Sequence, residues 1–208
     1  MTTYAPFGFR EARLFSGSVP NYTINGRNLA YNYGSQIAFG DPVFLANTGY
    51  INLMVSGSTT IDGIANGFEY FDPNNILSGA FHPAWTAPTL PSGTTVVGKI
   101  ITDPNTVFFA QANGAAQTQA VIGLNINILT GTSGTPQTSS GISQCALDVT
   151  TIASTNTLPF RIVGIVGLTA GFGGQGLNVV QQYAPTSANQ IFAVTMNTQD
   201  MTTRTGQV

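Results

Sequence analysis

Few residues in this chain have the types and spacing that chemistry requires. Gly171-Phe172-Gly173-Gly174-Gln175-Gly176 satisfies Gly-x-Gly-x-x-Gly and follows an apolar run. A dinucleotide site needs a helix opening from those glycines and an acid about 20 residues further on. The next segment, Leu177 to Tyr183, is short and β-branched, and Pro185 stops it, so the glycines read as a turn. His82 is the only histidine and Cys145 the only cysteine. A Ser-His-Asp or Cys-His arrangement must use His82, which precedes Pro83, and no Gly-x-Ser-x-Gly elbow occurs. The same counts exclude metal sites built on His and Cys spacing. Asp62, Glu69 and Asp72 are a candidate calcium cluster, and Glu69 with Asp72 a candidate glycosidase pair. Each has a plainer role: Asp62 in a turn with Gly63, Asp72 before Pro73, and Glu69 on the wet face of a strand. These residues predict no catalytic centre, no metal and no cofactor.

The elements that must position them are strands. The 208 residues hold one Lys and two Glu, while Thr, Val, Ile, Phe and Tyr, which suit a pleated surface, are abundant. Asn25-Gly26, Asp62-Gly63, Asn66-Gly67 and Asn113-Gly114 are hairpin-type dipeptides, and Asp41-Pro42, Asp72-Pro73 and Asp103-Pro104 are turn initiators. Between them, strands are predicted over 42–46, 50–55, 67–71, 95–101, 107–111, 123–129, 160–167, 178–183 and 191–197. Leu124-Asn125-Ile126-Asn127-Ile128 alternates strictly, as a half-buried strand does, whereas Arg161 to Val166 is apolar on both faces, as in a central strand. Short strands at this spacing predict an all-β fold, an antiparallel β-barrel or β-sandwich with long loops and little helix. The reading is one β-rich structural domain over 1–208, in which 80–93, with three prolines and the only Trp, joins two β subdomains.

Charge narrows the partners. Only 7% of residues are charged against 42% hydrophobic, and the net charge is -2. The 28 Thr and 17 Asn supply the hydrophilic exterior instead. Six scattered Lys and Arg cannot form the basic patch that phosphate contacts need, so no nucleic-acid partner is expected. No apolar run reaches membrane-helix length, and no signal segment is visible, so no membrane partner is expected. The N-terminal stretch differs from the rest. Arg10, Glu11 and Arg13 lie beside Tyr4, Phe7, Phe9, Leu14 and Phe15. Residues 1–15 read either as an extended arm of the composition found at protein–protein hot spots, or as a first strand of the protein's own barrel. On the arm reading, Phe7, Phe9, Arg10 and Arg13 are the contact residues.

The order of segments then becomes informative. Ala5-Pro6-Phe7-Gly8-Phe9-Arg10 is followed by Phe39-Gly40-Asp41-Pro42-Val43-Phe44-Leu45 and by the run from Val96 through Asp103-Pro104 to Phe108. Ile122-Gly123-Leu124-Asn125, Ser139-Ser140-Gly141-Ile142-Ser143, Pro159-Phe160-Arg161-Ile162-Val163-Gly164 and Phe192-Ala193-Val194-Thr195-Met196-Asn197 complete it. This order resembles the capsid decoration proteins of tailed bacteriophages, also called cement or head-stabilising proteins, with the segment from Leu45 to Leu90 contributing least. The resemblance implies a non-enzymatic virion protein on the capsid surface, assembled in the host cytoplasm. Its implied partners are the major capsid protein and further copies of itself, as a homotrimer or alternatively a dimer. The competing expectation is a receptor- or glycan-binding module of a phage fibre, in which an exposed Trp85 and tyrosines stack on sugar rings.

Overall fold

The computed structural model describes residues 4–14, 17–18, 24–73, 80–166 and 188–198. Over these, the chain is all-β: twelve strands in two sheets, with a single 3-10 turn at Gln119–Val121. The strands are β1 (Arg10–Leu14), β2 (Ile24–Leu29), β3 (Pro42–Leu45), β4 (Ile51–Leu53), β5 (Gly63–Glu69) and β6 (Phe81–His82). They continue as β7 (Val96–Ile101), β8 (Thr106–Asn113), β9 (Asn125–Ile128), β10 (Leu147–Ala153), β11 (Phe160–Ile165) and β12 (Ile191–Met196).

The first sheet runs β1-β8-β10-β9-β11-β12, and β12 pairs back onto β8. Strands β8, β10, β9, β11 and β12 therefore close a five-stranded barrel, to which β1 is added. Directions cannot alternate around a ring of odd number, so one neighbouring pair has to run parallel. That pair is β8 with β10 (Leu147↔Ala112, Asp148↔Asn113), and every other pair in the ring is antiparallel. One stretch of β8 pairs with β1 (Arg10↔Phe109, Leu14↔Thr106), and its last residues pair with β10. Inside the barrel lie Phe108, Ile126, Ile128, Leu147, Phe160, Ile162, Phe192 and Val194, together with Phe9 from just ahead of β1.

The second sheet runs β2-β7-β5-β3-β4, with β6 on β5. Its two outermost strands, β2 and β4, approach each other, so the sheet curls around its own core of Leu29, Ile37, Val43, Ile51, Phe68, Trp85 and Ile100. Strands β5 and β7 serve both cores. Ile64 and Ile101 point into the barrel side, while Ala65, Phe68 and Ile100 point the other way. This is the period-two alternation of a strand placed between two apolar layers. Two glycines make the crossing possible. A side chain at Gly63 would run into the carbonyl oxygen of Ile101, and Gly67, at φ +112°, lies in the bulge that shifts the β5–β7 register.

Several sequence expectations need correction. Asn25-Gly26 is not a turn but lies within β2, where Gly26 faces Val97 and the Asn25 side chain bonds Thr102. Asn66-Gly67 is the β5 bulge, so that strand begins at Gly63 rather than Gly67. Strand β10 was not expected at all. Residues 80–93 do not join two subdomains: Trp85 and Leu90 are buried in the second core, and strands on both sides of the segment belong to the same sheet. The expected strand at 178–183 and the glycines 171–176 lie outside the described residues.

Candidate contact surfaces and buried ionic nodes

Of the residues singled out for catalysis, His82 and Cys145 lie at different cores. His82, in β6, stacks on Tyr70 with ring centroids 4.0 Å apart, on the second core. Cys145 lies fully buried in the barrel core, and burial, reinforced by the nearby Asp41, holds its thiol well above the ordinary range. A thiol so placed is a small apolar filler rather than a nucleophile. Asp62 is buried and takes a two-pronged bond from Arg27 of β2, Nε to Oδ2 at 2.8 Å and Nη2 to Oδ1 at 3.1 Å. That bond, set against burial, raises the Arg27 pKa. Glu69 pairs with Lys99 at 2.9 Å. Among the described residues no three of His, Cys, Asp and Glu gather as a metal site.

The most elaborate polar site is Asp41, which is fully buried where β3 begins. Its Oδ2 accepts the backbone N–H of Ala38 at 2.7 Å and of Gly134 at 3.0 Å, and its Oδ1 accepts the Ser143 hydroxyl at 2.6 Å. Ser143 in turn accepts the N–H of Cys145 at 2.8 Å. The carboxyl thus fastens the loop between β9 and β10 to the entry of the second sheet. Burial pushes it up to about 6, against the three hydrogen bonds that pull it down. It is a structural clasp with no opening for substrate. In the sequence it reads only as a turn initiator before Pro42.

The N-terminal residues divide between inside and outside. Phe9 is 2% exposed, stacked on Phe160 at 4.4 Å and edge-on to Phe108 at 6.5 Å. It is a core residue of the barrel, and so it cannot also anchor a partner. Arg10 pairs across from Phe109 in β1, and its guanidinium lies 4.6 Å above the Phe39 ring, where burial lowers its pKa. Arg13 sits opposite Val107 in the same strand, and Phe7 is half-buried. Between β1 and the second sheet runs a groove of about 240 Å³ bordered by Arg10, Glu11, Phe39 and Asn66. Glu11 there is raised in pKa by burial and by Asp103. Residues 10–14 are therefore strand β1, not a free arm.

Exposed apolar surface concentrates elsewhere. Phe71 is 59% exposed and Phe81 53%, with Val55 at 55% the three largest values among the exposed large apolar residues of the described chain. Alternation explains both rings. Phe68 and Tyr70 turn into the second core, so Glu69 and Phe71 turn out, and Phe81 sits directly across from Glu69. The Phe81 ring lies over Gly67, where a Cβ would meet its Cζ at 2.5 Å. Phe81 thus shares one sheet face with Glu69 and its partner Lys99, and Phe71 is exposed two residues beyond Glu69. The sequence signal was present, since Glu69 is predicted on a wet face and Phe71 is two residues on. By contrast Trp85, expected to be an exposed stacking platform, is fully buried, and its Nε1–H donates to the Tyr33 carbonyl at 2.9 Å.

Comparison of the chain with protein-family models, with curated proteins and with solved structures finds no match.

Proposed function

We propose that the protein is a non-enzymatic structural protein of a virion that binds the outside of a tailed-phage capsid and stabilises contacts between major capsid protein subunits, as a homotrimer. The observation that carries this reading is the pair of exposed rings, Phe71 and Phe81, on the face of the second sheet. Neighbouring apolar side chains left in water on a β face suit a partner protein, because burying an aromatic ring fixes few torsions and removes a large apolar area. The Lys99–Glu69 pair, with Glu69 directly across from Phe81, supplies charges of both signs for registering that partner without a strong net field. The carboxylates of Asp41, Asp62 and Glu69 are spent on internal ties. The order of sequence segments given above is the ground for choosing a capsid as the partner. The fibre-module alternative loses its stacking platform with the burial of Trp85.

The test is to add the purified protein to undecorated capsids and count copies per capsid subunit. Near-stoichiometric occupancy is expected. The Phe71→Ser, Phe81→Ser double variant should bind at least about tenfold more weakly, the scale for losing interface anchors worth more than about 1.4 kcal/mol. Its unfolding midpoint should hardly change, since exposed substitutions stay within about 0.5 kcal/mol. Unaltered occupancy of that variant would remove the docking face from the proposal. Occupancy in tens of copies with binding to free glycans would replace the capsid with the fibre.

A further inference from the structure

Arg161 of β11 projects outward between buried Phe160 and Ile162, and its side chain lies alongside Gly123, where a Cβ would come within 4.0 Å of Nη2. Unlike Arg27 on Asp62, Lys99 on Glu69 and Arg10 over Phe39, it makes no ion pair, hydrogen bond or ring contact with any described residue. The strand register places Thr195 of β12 directly opposite, and its hydroxyl likewise has no partner among the described residues. Both residues border a concavity of about 500 Å³ that is also lined by Asn105, Ile122, Met196 and Asn197. Asn197 has its amide N–H groups committed to the carbonyls of Asn156 and Leu158. The acid nearest in sequence to this lining, Asp103, is held by both nitrogens of Asn105. Ile122, 40% exposed, provides an apolar wall beside the polar pair.

We propose that this concavity binds a monocarboxylate carried on an apolar chain, with Arg161 and Thr195 holding the carboxylate and Ile122 covering the first methylenes. The chemistry selects that class. A guanidinium presents two parallel N–H groups at the spacing of two carboxylate oxygens, and the neighbouring hydroxyl adds a third donor. One cation balances one negative charge. A phosphate dianion would keep an uncompensated charge beside apolar Ile122, and the lining holds no second Lys or Arg. The volume accommodates a chain of several carbons and lies within the size range of small-ligand sites. The site is separate from the Phe71–Phe81 face and does not depend on its role.

A carboxylate of this kind comes either from a free short-chain acid or from a glutamate side chain, and the experiment distinguishes them. The full-length chain, labelled with 15N, is titrated to about 10 mM with hexanoate, with hexanol, with inorganic phosphate, and with the capped tripeptides Ac-Ala-Glu-Ala-NH2 and Ac-Ala-Gln-Ala-NH2, following the Arg161 Nε–H and Thr195 amide signals. Saturable shifts with hexanoate or the Glu peptide are expected, with the tighter of the two naming the source. Arg161→Gln should weaken that binding about tenfold, read at the Thr195 amide, and Arg161→Lys by less, since it keeps the charge and loses the fork. Both variants should keep the wild-type circular dichroism. The proposal is overturned if neither carboxylate shifts these signals, if hexanol or the Gln peptide binds as well, if phosphate binds more tightly, or if Arg161→Gln binds like wild type.

Discussion

The barrel and the curled second sheet solve the same problem by different means. The barrel closes on itself, so each ring strand has a neighbour on both sides, and its centre is filled by apolar side chains such as Phe108, Phe160 and Phe192. Closure removes edges. The second sheet stays open. Its strands are held by side chains with directional bonds: Arg27 on Asp62, the Tyr33 hydroxyl receiving the N–H of Leu53 at 2.8 Å, and Trp85 on the Tyr33 carbonyl. Tyr70 stands edge-on to Trp85 at 5.3 Å and flat on His82. Where geometry does not enforce the register, polar ties do so. The barrel should therefore respond to lost volume and the second sheet to lost hydrogen bonds.

Phe9→Ala should have the largest effect. Emptying the stack between Phe108 and Phe160 should cost about 3–5 kcal/mol, measured by urea unfolding, because the ring of strands cannot collapse into the space. A loss under about 1 kcal/mol would show that residues ahead of β1 are not part of the barrel core. Deleting residues 1–9 tests folding as much as docking for the same reason.

Asp41 ties the two regions together, and its variants come next. Asp41→Ala leaves the Ala38 and Gly134 N–H groups and the Ser143 hydroxyl without an acceptor in a dry site, and should cost about 3 kcal/mol. Asp41→Asn keeps one oxygen for the two N–H donors and turns its NH2 toward Ser143 Oγ, so it should stay within about 1 kcal/mol of wild type at pH 7. The pH profile separates the two effects. The folded-state pKa, about 6, lies above the ordinary 3.8, so the folded state holds the proton more tightly. Its contribution is full below about pH 4 and is lost as pH rises through about 6, a fall of about 3 kcal/mol at 1.36 kcal/mol per unit. The difference between wild type and Asp41→Asn should follow that curve, and a flat difference from pH 4 to 7 would contradict it.

Trp85→Phe should cost less than Phe9→Ala or Asp41→Ala. It keeps most of the buried area but removes the bond to the Tyr33 carbonyl, for a loss of about 1–2 kcal/mol. Protease cleavage should then increase in the second sheet before the barrel. Equal sensitivity of both regions would erase the distinction between them.

How far this was legible follows from the same contrast. Barrel strands that alternate cleanly or run apolar, such as Asn125–Ile128, Phe160–Ile165 and Ile191–Met196, stand out in the sequence, and with them the all-β class. Strand β2 was hidden because Asn25-Gly26 is a turn signal in isolation. It becomes strand because β7 supplies a full antiparallel partner from Ile24↔Ile101 to Leu29↔Val96. Strand β1 was ambiguous, since Arg10, Glu11 and Arg13 look solvated until β8 is known to lie beside them. Asp41 and the Arg161–Thr195 pair were not legible at all. Each depends on residues far apart in the chain meeting through tertiary structure: Gly134 and Ser143 around the first, and the β11–β12 register for the second.

The barrel's strands do not lie together in the chain. Strand β1 belongs to it, yet β2 through β7 form the other sheet before β8 is reached. On a ribosome, β1 with Phe9 emerges ahead of β2 through β7 and has no barrel partner until β8 follows them. The ring then waits for β12. Such pairing is slow, because loop closure must precede any reward from contact. During that wait β1 and the neighbouring Phe9 are exposed among many identical nascent chains, where mispairing between molecules competes with folding. The scarcity of charge leaves little repulsion to oppose it. Growth temperature and expression rate should therefore govern the yield of this protein more strongly than its final stability does.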